Sequence, residues 1–150
     1  MGDVAGFLMT CRDWFTDKLL AQLVALLVGA VVVQRFYVRQ SHKAALIDYL
    51  VARLEDVKRE SMTYWSKPQH EDGPIAAQRV KGALKGLFAD VGYFCERYQE
   101  APLHVPLQRL FDACTDGGFE SRDCGPDLSR HMRIVNSTNE LRIRLLKCKL

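Results

Sequence analysis

Hydrophobic positions along this chain are arranged in two different ways. Residues 19–33 read LLAQLVALLVGAVVV, fifteen consecutive positions with no charge and a single polar side chain, Gln22. From Ser41 onward the apolar residues instead recur every third or fourth position, which is the period of an amphipathic α-helix. The first pattern is typical of a membrane-spanning helix, and the second is typical of helices that bury one face in a core.

The flanks of the apolar run extend it to a length that can cross a bilayer. A spanning helix needs about 20 mainly apolar residues. Tryptophan and phenylalanine at 14–15 precede the run, and phenylalanine and tyrosine at 36–37 follow it, as in the aromatic belts at lipid headgroups. The sequence therefore predicts a short N-terminal tail over 1–13 and a transmembrane helix over 14–38.

Two other interpretations of the run fit less well. A cleaved signal peptide begins with a basic segment, whereas the first eighteen residues hold three acidic side chains against two basic ones. A buried core helix normally shows a polar stripe, and this run has almost none. The membrane anchor is therefore the interpretation that we adopt.

Basic residues flank the run unevenly, and this sets the predicted orientation. Within about 20 residues on the C-terminal side lie four arginine or lysine side chains, against two on the N-terminal side. The positive-inside rule then predicts a single-pass protein with its N-terminus outside the cell. Residues 39–150 are expected to form a cytoplasmic domain.

Small side chains line one face of the predicted transmembrane helix. Ala21, Ala25 and Gly29 are spaced by four, and Gln22 lies near the same face. Because lipid gives helices no hydrophobic drive to associate, small residues favour pairing by allowing close backbone approach. These four residues are a candidate packing face for a homo-oligomer, although alanine and glycine are also common in unpaired transmembrane helices.

The periodic region of the chain predicts further helices, separated by proline- and glycine-containing turns. No strand-type alternation occurs in it. Gly82 and Gly86 are four apart and suggest close packing against a neighbouring helix. The expected fold is all-α, with one N-terminal transmembrane helix that continues into a small antiparallel helical bundle. The bundle helices are predicted near 41–66, 75–100, 106–115 and 127–148.

Composition narrows the classes of partner. The 150 residues are 48% hydrophobic and 26% charged, as in ordinary folded proteins. A net charge of +3 is too small an excess for a dedicated nucleic-acid binder. The excess gathers beside the apolar run and on the last helix, where it suits anionic lipid or an acidic partner. The candidate contacts are Arg35, Arg39, Arg130, Arg133, Arg142, Arg144 and Lys147.

The spacing of the cysteine, histidine and acidic residues does not predict a metal site or a catalytic site. The five cysteines, at 11, 95, 114, 124 and 148, form no CxxC and have no histidine at zinc-finger spacing, so no metal or other cofactor is assigned. The connector 116–127 holds four acidic residues, which could bind Mg²⁺ or act as acid and base. Aspartates beside glycines more often form turns and helix caps. We assign no catalytic residue, and a hydrolase that uses Asp123 stays an alternative.

Two stretches carry a resemblance to known proteins. RFYVRQSHKAALIDYL at 35–50 and LFDACTDGGFESRDCGPD at 110–127 resemble segments of small uncharacterised bacterial single-pass membrane proteins, often encoded near prophages and mobile elements. The resemblance implies a role in phage or mobile-element biology, and the membrane in question is then the bacterial inner membrane. It implies no activity and no site residue.

The functional hypothesis is a membrane-anchored helical module that binds an unidentified protein partner or self-associates. It is not expected to be an enzyme. The alternative is an oligomerising membrane effector or toxin-like protein, acting in phage defence or superinfection exclusion, that perturbs the bilayer.

Overall fold

The computed structural model describes residues 3–66, 73–100, 103–121 and 126–149, with side chains described from Lys18 onward. These residues form four α-helices and no β-strand. The helices are α1 Asp3–Ser66, α2 Gly73–Tyr98, α3 His104–Thr115 and α4 Leu128–Lys147. The all-α prediction is confirmed.

Helix α1 joins two of the predicted helices into one continuous element of 64 residues. Neither glycine nor proline occurs between Val33 and Ser66, so nothing in the backbone interrupts the helix there. Its described range ends at Ser66, just before the Lys67–Pro68 pair. By internal contacts the chain divides into two units, Met1–His42 and Lys43–Leu150, which we describe separately.

In the first unit, every described side chain from Lys18 to His42 is exposed. The most apolar window of α1 has a mean hydropathy of 2.0, and none of it is buried within the chain. Among the described residues this is the one helix long and apolar enough to cross a membrane. The predicted tail over 1–13 and the aromatic pair at 14–15 lie outside the described side chains.

The second unit has a hydrophobic core to which all four helices contribute. The buried positions follow the three- and four-residue spacing read from the sequence, because that spacing puts them on one side of each helix. Full burial of a side chain such as leucine contributes about 1.5–3 kcal/mol to folding. The core includes Ile47, Leu50, Leu54 and Val57 of α1, Leu84, Leu87 and Phe94 of α2, Leu107 and Leu110 of α3, and Ile134, Leu141 and Leu145 of α4.

Side-chain pairs give the direction of α2 beside α1. Lys43 pairs with Glu100 at 2.5 Å, and the Tyr49 hydroxyl donates to Asp90 at 3.2 Å. Residue numbers rise in one helix as they fall in the other. The two helices are therefore antiparallel.

Helix α4 also runs antiparallel to this region of α1. Lys149 contacts Asp48 at 2.9 Å near one end, while the Arg130 guanidinium lies 4.0 Å from the centre of the Trp65 ring near the other. Helix α3 is antiparallel to α4, since Arg109 bonds Glu140 at 3.1 Å while the Asp116 carbonyl, just after α3, accepts from Arg130 near the start of α4. These contacts favour the antiparallel bundle predicted from the sequence.

The helix ends differ from their predicted positions for local reasons. Helix α3 begins at His104 rather than at 106, so Pro106 lies inside its first turn. Proline is tolerated there because the first N–H groups of a helix have no intrahelical partner. The first backbone bond of the helix runs from the Leu107 N–H to the Leu103 carbonyl, at 3.1 Å.

The glycine pair of α2 does not mark the close helix–helix packing that the sequence predicts. A Cβ built on Gly86 would lie 2.4 Å from a guanidinium nitrogen of Arg53, so this glycine makes room for an arginine. A Cβ on Gly82 would meet nothing within 4 Å. The neighbour that approaches α2 here is a side chain, rather than a second helix backbone.

Candidate functional site

The predicted packing face, Ala21, Gln22, Ala25 and Gly29, is exposed. At 3.6 residues per turn its four positions fall within an arc of about 100°. A Cβ placed on Gly29 would meet nothing within 4 Å. The packing face is thus an uncovered strip along one side of α1 among the described residues.

The arginines that follow the apolar run are exposed as well. Arg35 and Arg39 lie one turn apart on α1, so their guanidinium groups share one side of the helix. Both remain open to contact with an anionic surface.

Four of the predicted cations of α4 are exposed, namely Arg133, Arg142, Arg144 and Lys147. At 100° per residue, Arg133, Arg144 and Lys147 share one side of the helix, which we call the basic face, and Arg142 lies on the opposite side. Arg144 pairs with Glu140 at 3.2 Å, and Arg142 lies 3.9 Å from Glu55. Because exposed ion pairs are worth about 0–1 kcal/mol, these guanidinium groups can exchange their partners readily.

Arg130 does not belong to that face, and the prediction that it contacts lipid or an acidic partner is wrong. Its exposed fraction is 5%. It lies in register with Ile134 and Thr138, on the side of α4 that is buried. A charged side chain is tolerated there because neighbouring groups of the same chain bind its guanidinium.

The Arg130 guanidinium is held by three groups, and together they form what we call the arginine–tryptophan cluster. It lies over the Trp65 ring at 4.0 Å from the centroid, in cation–π geometry. Its Nε is 3.3 Å from an Asp127 carboxylate oxygen, and one terminal nitrogen donates to the Asp116 carbonyl. The indole N–H of Trp65 donates to the Cys114 carbonyl at 2.9 Å. The cluster thus joins the ends of α1, α3 and α4.

The connector after α3 is folded onto this cluster. The Phe119 ring packs against the Tyr64 and Trp65 rings, with centroids 4.8 and 6.2 Å away. The Tyr64 hydroxyl accepts the Glu120 N–H at 2.8 Å. Gly117 takes a φ of 61°, and a Cβ there would lie 2.7 Å from the Arg130 guanidinium. The glycine and phenylalanine of the GGFES stretch therefore have structural roles.

The acidic residues described in the connector are engaged in local contacts. Asp116 accepts the Gly117 N–H at 2.8 Å, and Glu120 pairs with Lys81 at 2.7 Å. Asp127 caps α4 by accepting the Arg130 N–H at 3.1 Å, as predicted for an aspartate at a helix start. The residues at 122–125, which include Asp123 of the hydrolase alternative, lie outside the described residues.

Hydrogen bonds lower the pKa of Asp127. The Ser129 hydroxyl donates to its carboxylate at 2.7 Å, and the Arg130 backbone N–H and side chain add to this, which brings the pKa to about 2. The carboxylate is thus held in its charged form, as a helix cap and as the counter-charge of Arg130.

The described cysteines, Cys95, Cys114 and Cys148, are thiols at or near the core, and no disulfide joins them. Burial raises the pKa of Cys114 to about 11, and burial followed by the nearby Glu100 carboxylate raises that of Cys148. Neither of these two thiols favours the thiolate form that nucleophilic chemistry requires. The described part of the chain holds no group of three or more histidine, cysteine, aspartate or glutamate residues placed to bind a metal ion.

The sequence analysis did not predict the arginine–tryptophan cluster, although the spacing of apolar residues in α4 indicates that Arg130 is buried. Continued backward by four from Ile134, the apolar stripe reaches Arg130. A cation on the buried side of a helix needs a neighbouring carboxylate, carbonyl or aromatic ring, so its position predicts such a partner.

A shallow groove between α2 and α3 was also missed. Its cavity of about 410 Å³ is mostly apolar, with two lysines at its border. It is lined by Lys81, Lys85, Phe88, Gln108 and Phe111.

Comparison with protein-family models, with curated proteins and with solved structures finds no match to this chain. The resemblance to small bacterial membrane proteins therefore stays a prediction.

Proposed function

We propose that this protein is a membrane-anchored helical interaction module. Residues 14–38 of α1 cross the inner membrane of a bacterium, and the unit Lys43–Leu150 is presented in the cytoplasm. There it binds a protein partner, or the chain self-associates through the packing face. The observation that carries the proposal is the all-round exposure of the apolar segment of α1.

The number of exposed side chains supports membrane insertion. Between Leu19 and Val38, thirteen large hydrophobic side chains have exposed fractions of 45–76%. Moving each into an apolar environment is favourable by on the order of 1 kcal/mol or more. Soluble monomers rarely expose apolar surface that continues around a whole helix. Lipid is the solvent that such a helix requires.

The role of interaction module rests on what the side chains of the second unit do. Asp116, Glu120 and Asp127 are used in a turn, an ion pair and a helix cap. The thiols of Cys114 and Cys148 are held protonated. These groups support a stable helical scaffold, and binding by its surfaces is the function that the arrangement favours.

Membrane insertion and orientation are tested by carbonate extraction and by protease treatment of spheroplasts that express the chain with a C-terminal epitope. We expect the chain to remain in the carbonate-insoluble fraction and its C-terminal epitope to be protected until the spheroplasts are lysed. Two charges within the run, Leu27→Lys with Val28→Lys, are expected to release the chain, because each lysine costs about 3 kcal/mol at the bilayer centre. The matched control is Ile75→Lys with Tyr93→Lys, at two exposed positions of α2. Extraction of the unmodified chain by carbonate would contradict the proposal.

Self-association is tested by a membrane two-hybrid assay of the segment 14–38. Gly29→Ile places a bulky side chain on the packing face and is expected to lower the signal. Ala30→Ile adds similar bulk on another side of the helix and serves as the control. Equal signals for both variants would remove the packing face as an interface.

The alternative is an oligomerising effector that perturbs the bilayer, and it is favoured by the polar Gln22 on the packing face. Induced expression with a potential-sensitive dye separates the two functions. An intact membrane potential agrees with the interaction module. Depolarisation that Gly29→Ile suppresses would favour the effector.

A further inference from the structure

The groove between α2 and α3 has an aromatic floor. The Phe88 and Phe111 rings meet there edge to face, with a centroid distance of 6.0 Å and an interplanar angle of 84°. Phe88 packs against the core, while Phe111 is exposed to solvent. The cavity of about 410 Å³ lies within the range of about 300–1,000 Å³ that is usual for small-molecule sites. An aromatic ring bound in the groove can therefore contact both phenylalanines.

The groove is short, and its length bears on what can occupy it. Its lining runs from Lys81 to Phe88 on α2 and from Gln108 to Phe111 on α3, which at 1.5 Å per residue is about 10 Å and about 5 Å. A partner helix anchors at three or more positions spread over two turns, whereas α3 lines only about one turn. These dimensions suit a single ring system, so they favour a small molecule over a partner helix.

Two lysines lie on the α2 edge of the groove and differ in their partners. Lys81 and Lys85 are four positions apart, so they share one side of the helix. The Lys81 ammonium pairs with Glu120 at 2.7 Å. The Lys85 side chain is exposed, and among the described residues it has no ion-pair or hydrogen-bond partner. Lys85 is therefore the cation of the groove that is open to an anionic ligand.

The α3 edge of the groove is lined by an uncharged side chain. Gln108 lies there, and its amide donates to the Asp112 carboxylate at 2.8 Å. At 100° per residue Asp112 lies about 100° around α3 from Phe111. It is on the side of Arg109, which pairs with Glu140 of α4. The lining of the groove is therefore cationic on α2 and neutral on α3, above an aromatic floor.

This arrangement distinguishes between classes of ligand. A cationic ligand would be repelled by the two lysines. An uncharged aromatic compound would contact the phenylalanines but would leave the Lys85 ammonium without a partner. An aromatic carboxylate satisfies both parts of the groove, because its ring packs on the floor and its oxygens accept a charge-assisted hydrogen bond from the ammonium.

We propose that the groove between α2 and α3 binds a small aromatic monocarboxylate. Its ring lies against Phe88 and Phe111, and its carboxylate is bound by Lys85. The inference goes beyond the proposed function, because it adds a small-molecule ligand to a module proposed to bind a protein. It does not depend on membrane insertion, since the lining residues all belong to the unit Lys43–Leu150.

The test uses the full chain in lipid nanodiscs and the photoreactive carboxylate 4-benzoylbenzoate, which on illumination inserts into nearby C–H bonds. Peptide mass spectrometry then locates the adducts, which we expect within 81–88 and 108–111. An excess of 2-naphthoate should compete with the labelling, at a concentration on the order of 1 mM for a ligand of this size. The uncharged analogue 2-naphthamide should compete about fivefold less well, because it lacks the charge-assisted bond.

Variants of the lining give matched controls. Lys85→Gln should lower the labelling of the groove by about fivefold. Arg79→Gln removes an exposed cation from another side of α2 and should leave the labelling unchanged. Gln108→Trp places a large ring at the exposed edge of the groove and is expected to abolish the adducts. Far-UV circular dichroism of each variant checks that the helices are retained.

Several results would overturn the inference. Adducts spread evenly over the exposed residues of the unit would mean that the groove is not a site. Equal competition by 2-naphthamide, or unchanged labelling of Lys85→Gln, would remove the carboxylate as the recognised group. The absence of adducts within 81–88 and 108–111 would leave an apolar side chain of a protein partner as the occupant. Carbonate extraction tests the proposed anchoring separately, so the two failures are distinguishable.

Discussion

Two segments of α1 are both rich in leucine and valine, yet their side chains have different surroundings. From Leu19 to Val38 the apolar side chains point in every direction and are all exposed, whereas from Ile47 to Trp65 the buried ones occupy a single stripe. Local helix propensity cannot separate them, because the same continuous helix contains both. The difference lies in the placement of polar residues, since in the second segment they leave a polar face toward water and an apolar face toward the core.

The same contrast recurs among the arginines of α4. Arg130 and Arg133 are three positions apart, but the first is buried in the arginine–tryptophan cluster and the second is exposed. Whether an arginine of α4 is buried therefore depends on its position in the helical register and not on its residue type.

The largest expected effect comes from equal truncations in the two segments of α1. Leu54→Ala leaves a cavity in the core and should destabilise the second unit by about 2–5 kcal/mol. Leu26→Ala removes the same atoms where no core residue covers them, and it should change that stability by less than about 0.5 kcal/mol. Urea unfolding in detergent micelles, followed by Trp65 fluorescence in a Trp14→Phe background, measures both. Similar losses would mean that the exposed segment also packs against the folded unit.

The next largest difference is expected between alanine substitutions of Arg130 and Arg133. Arg130→Ala removes the cation that Trp65, Asp127 and the Asp116 carbonyl share, with an expected cost of about 2–3 kcal/mol. Arg133→Ala should cost less than about 0.5 kcal/mol. Far-UV circular dichroism during urea unfolding gives both values. If Arg130→Ala were as mild as Arg133→Ala, the cluster would contribute little to folding.

Two glycine-to-alanine substitutions, one in a turn and one in a helix, are expected to change the free energy of unfolding in opposite directions. Gly117→Ala places a Cβ at positive φ and against the Arg130 guanidinium, so we expect a loss of about 1–2 kcal/mol. Gly82→Ala adds a methyl group in open space within a helix and should stabilise by about 0.5–1 kcal/mol. Thermal unfolding of the two variants should show shifts in opposite directions, and shifts of the same sign would refute this account of the connector.

The smallest expected effect is a dependence on pH. The folded-state pKa of Asp127 is about 2, below the value of about 3.9 for an unpaired aspartate in an unfolded chain. Its contribution to stability is therefore complete above about pH 4 and is lost as the pH falls toward about 2. Wild type and Asp127→Asn should differ at neutral pH and converge in acid. Asp56→Asn, on the surface of α1, is the control, and a constant difference across the pH range would contradict the linkage.

Much of the fold could be predicted because it depends on local patterns. The buried stripes of α2 and α4 match the spacing read from the sequence, and Asp127 caps α4 where its position before the helix suggested. The start of α3 differs from its predicted position by two residues, because the first turn of a helix tolerates a proline that the prediction places at its boundary.

The arginine–tryptophan cluster could not be predicted in the same way because its contacts join distant positions. Trp65 and Cys114, whose carbonyl accepts the indole N–H, are 49 residues apart, and no periodicity links them. Gly117 takes its positive φ beside the Arg130 guanidinium, and that neighbour is a tertiary contact. The sequence therefore indicated a turn at the connector, but not what the turn holds.

Trp65 also has a consequence for the order of folding during synthesis. Its partners, the Cys114 carbonyl, the Phe119 ring and the Arg130 guanidinium, are all translated well after it. The end of α1 therefore leaves the ribosome with its aromatic side chains uncovered, and its packing is completed only when the last helix has emerged. Over that interval a nascent chain exposes this surface to chaperones, and a ribosome stalled before residue 130 would hold it in that state.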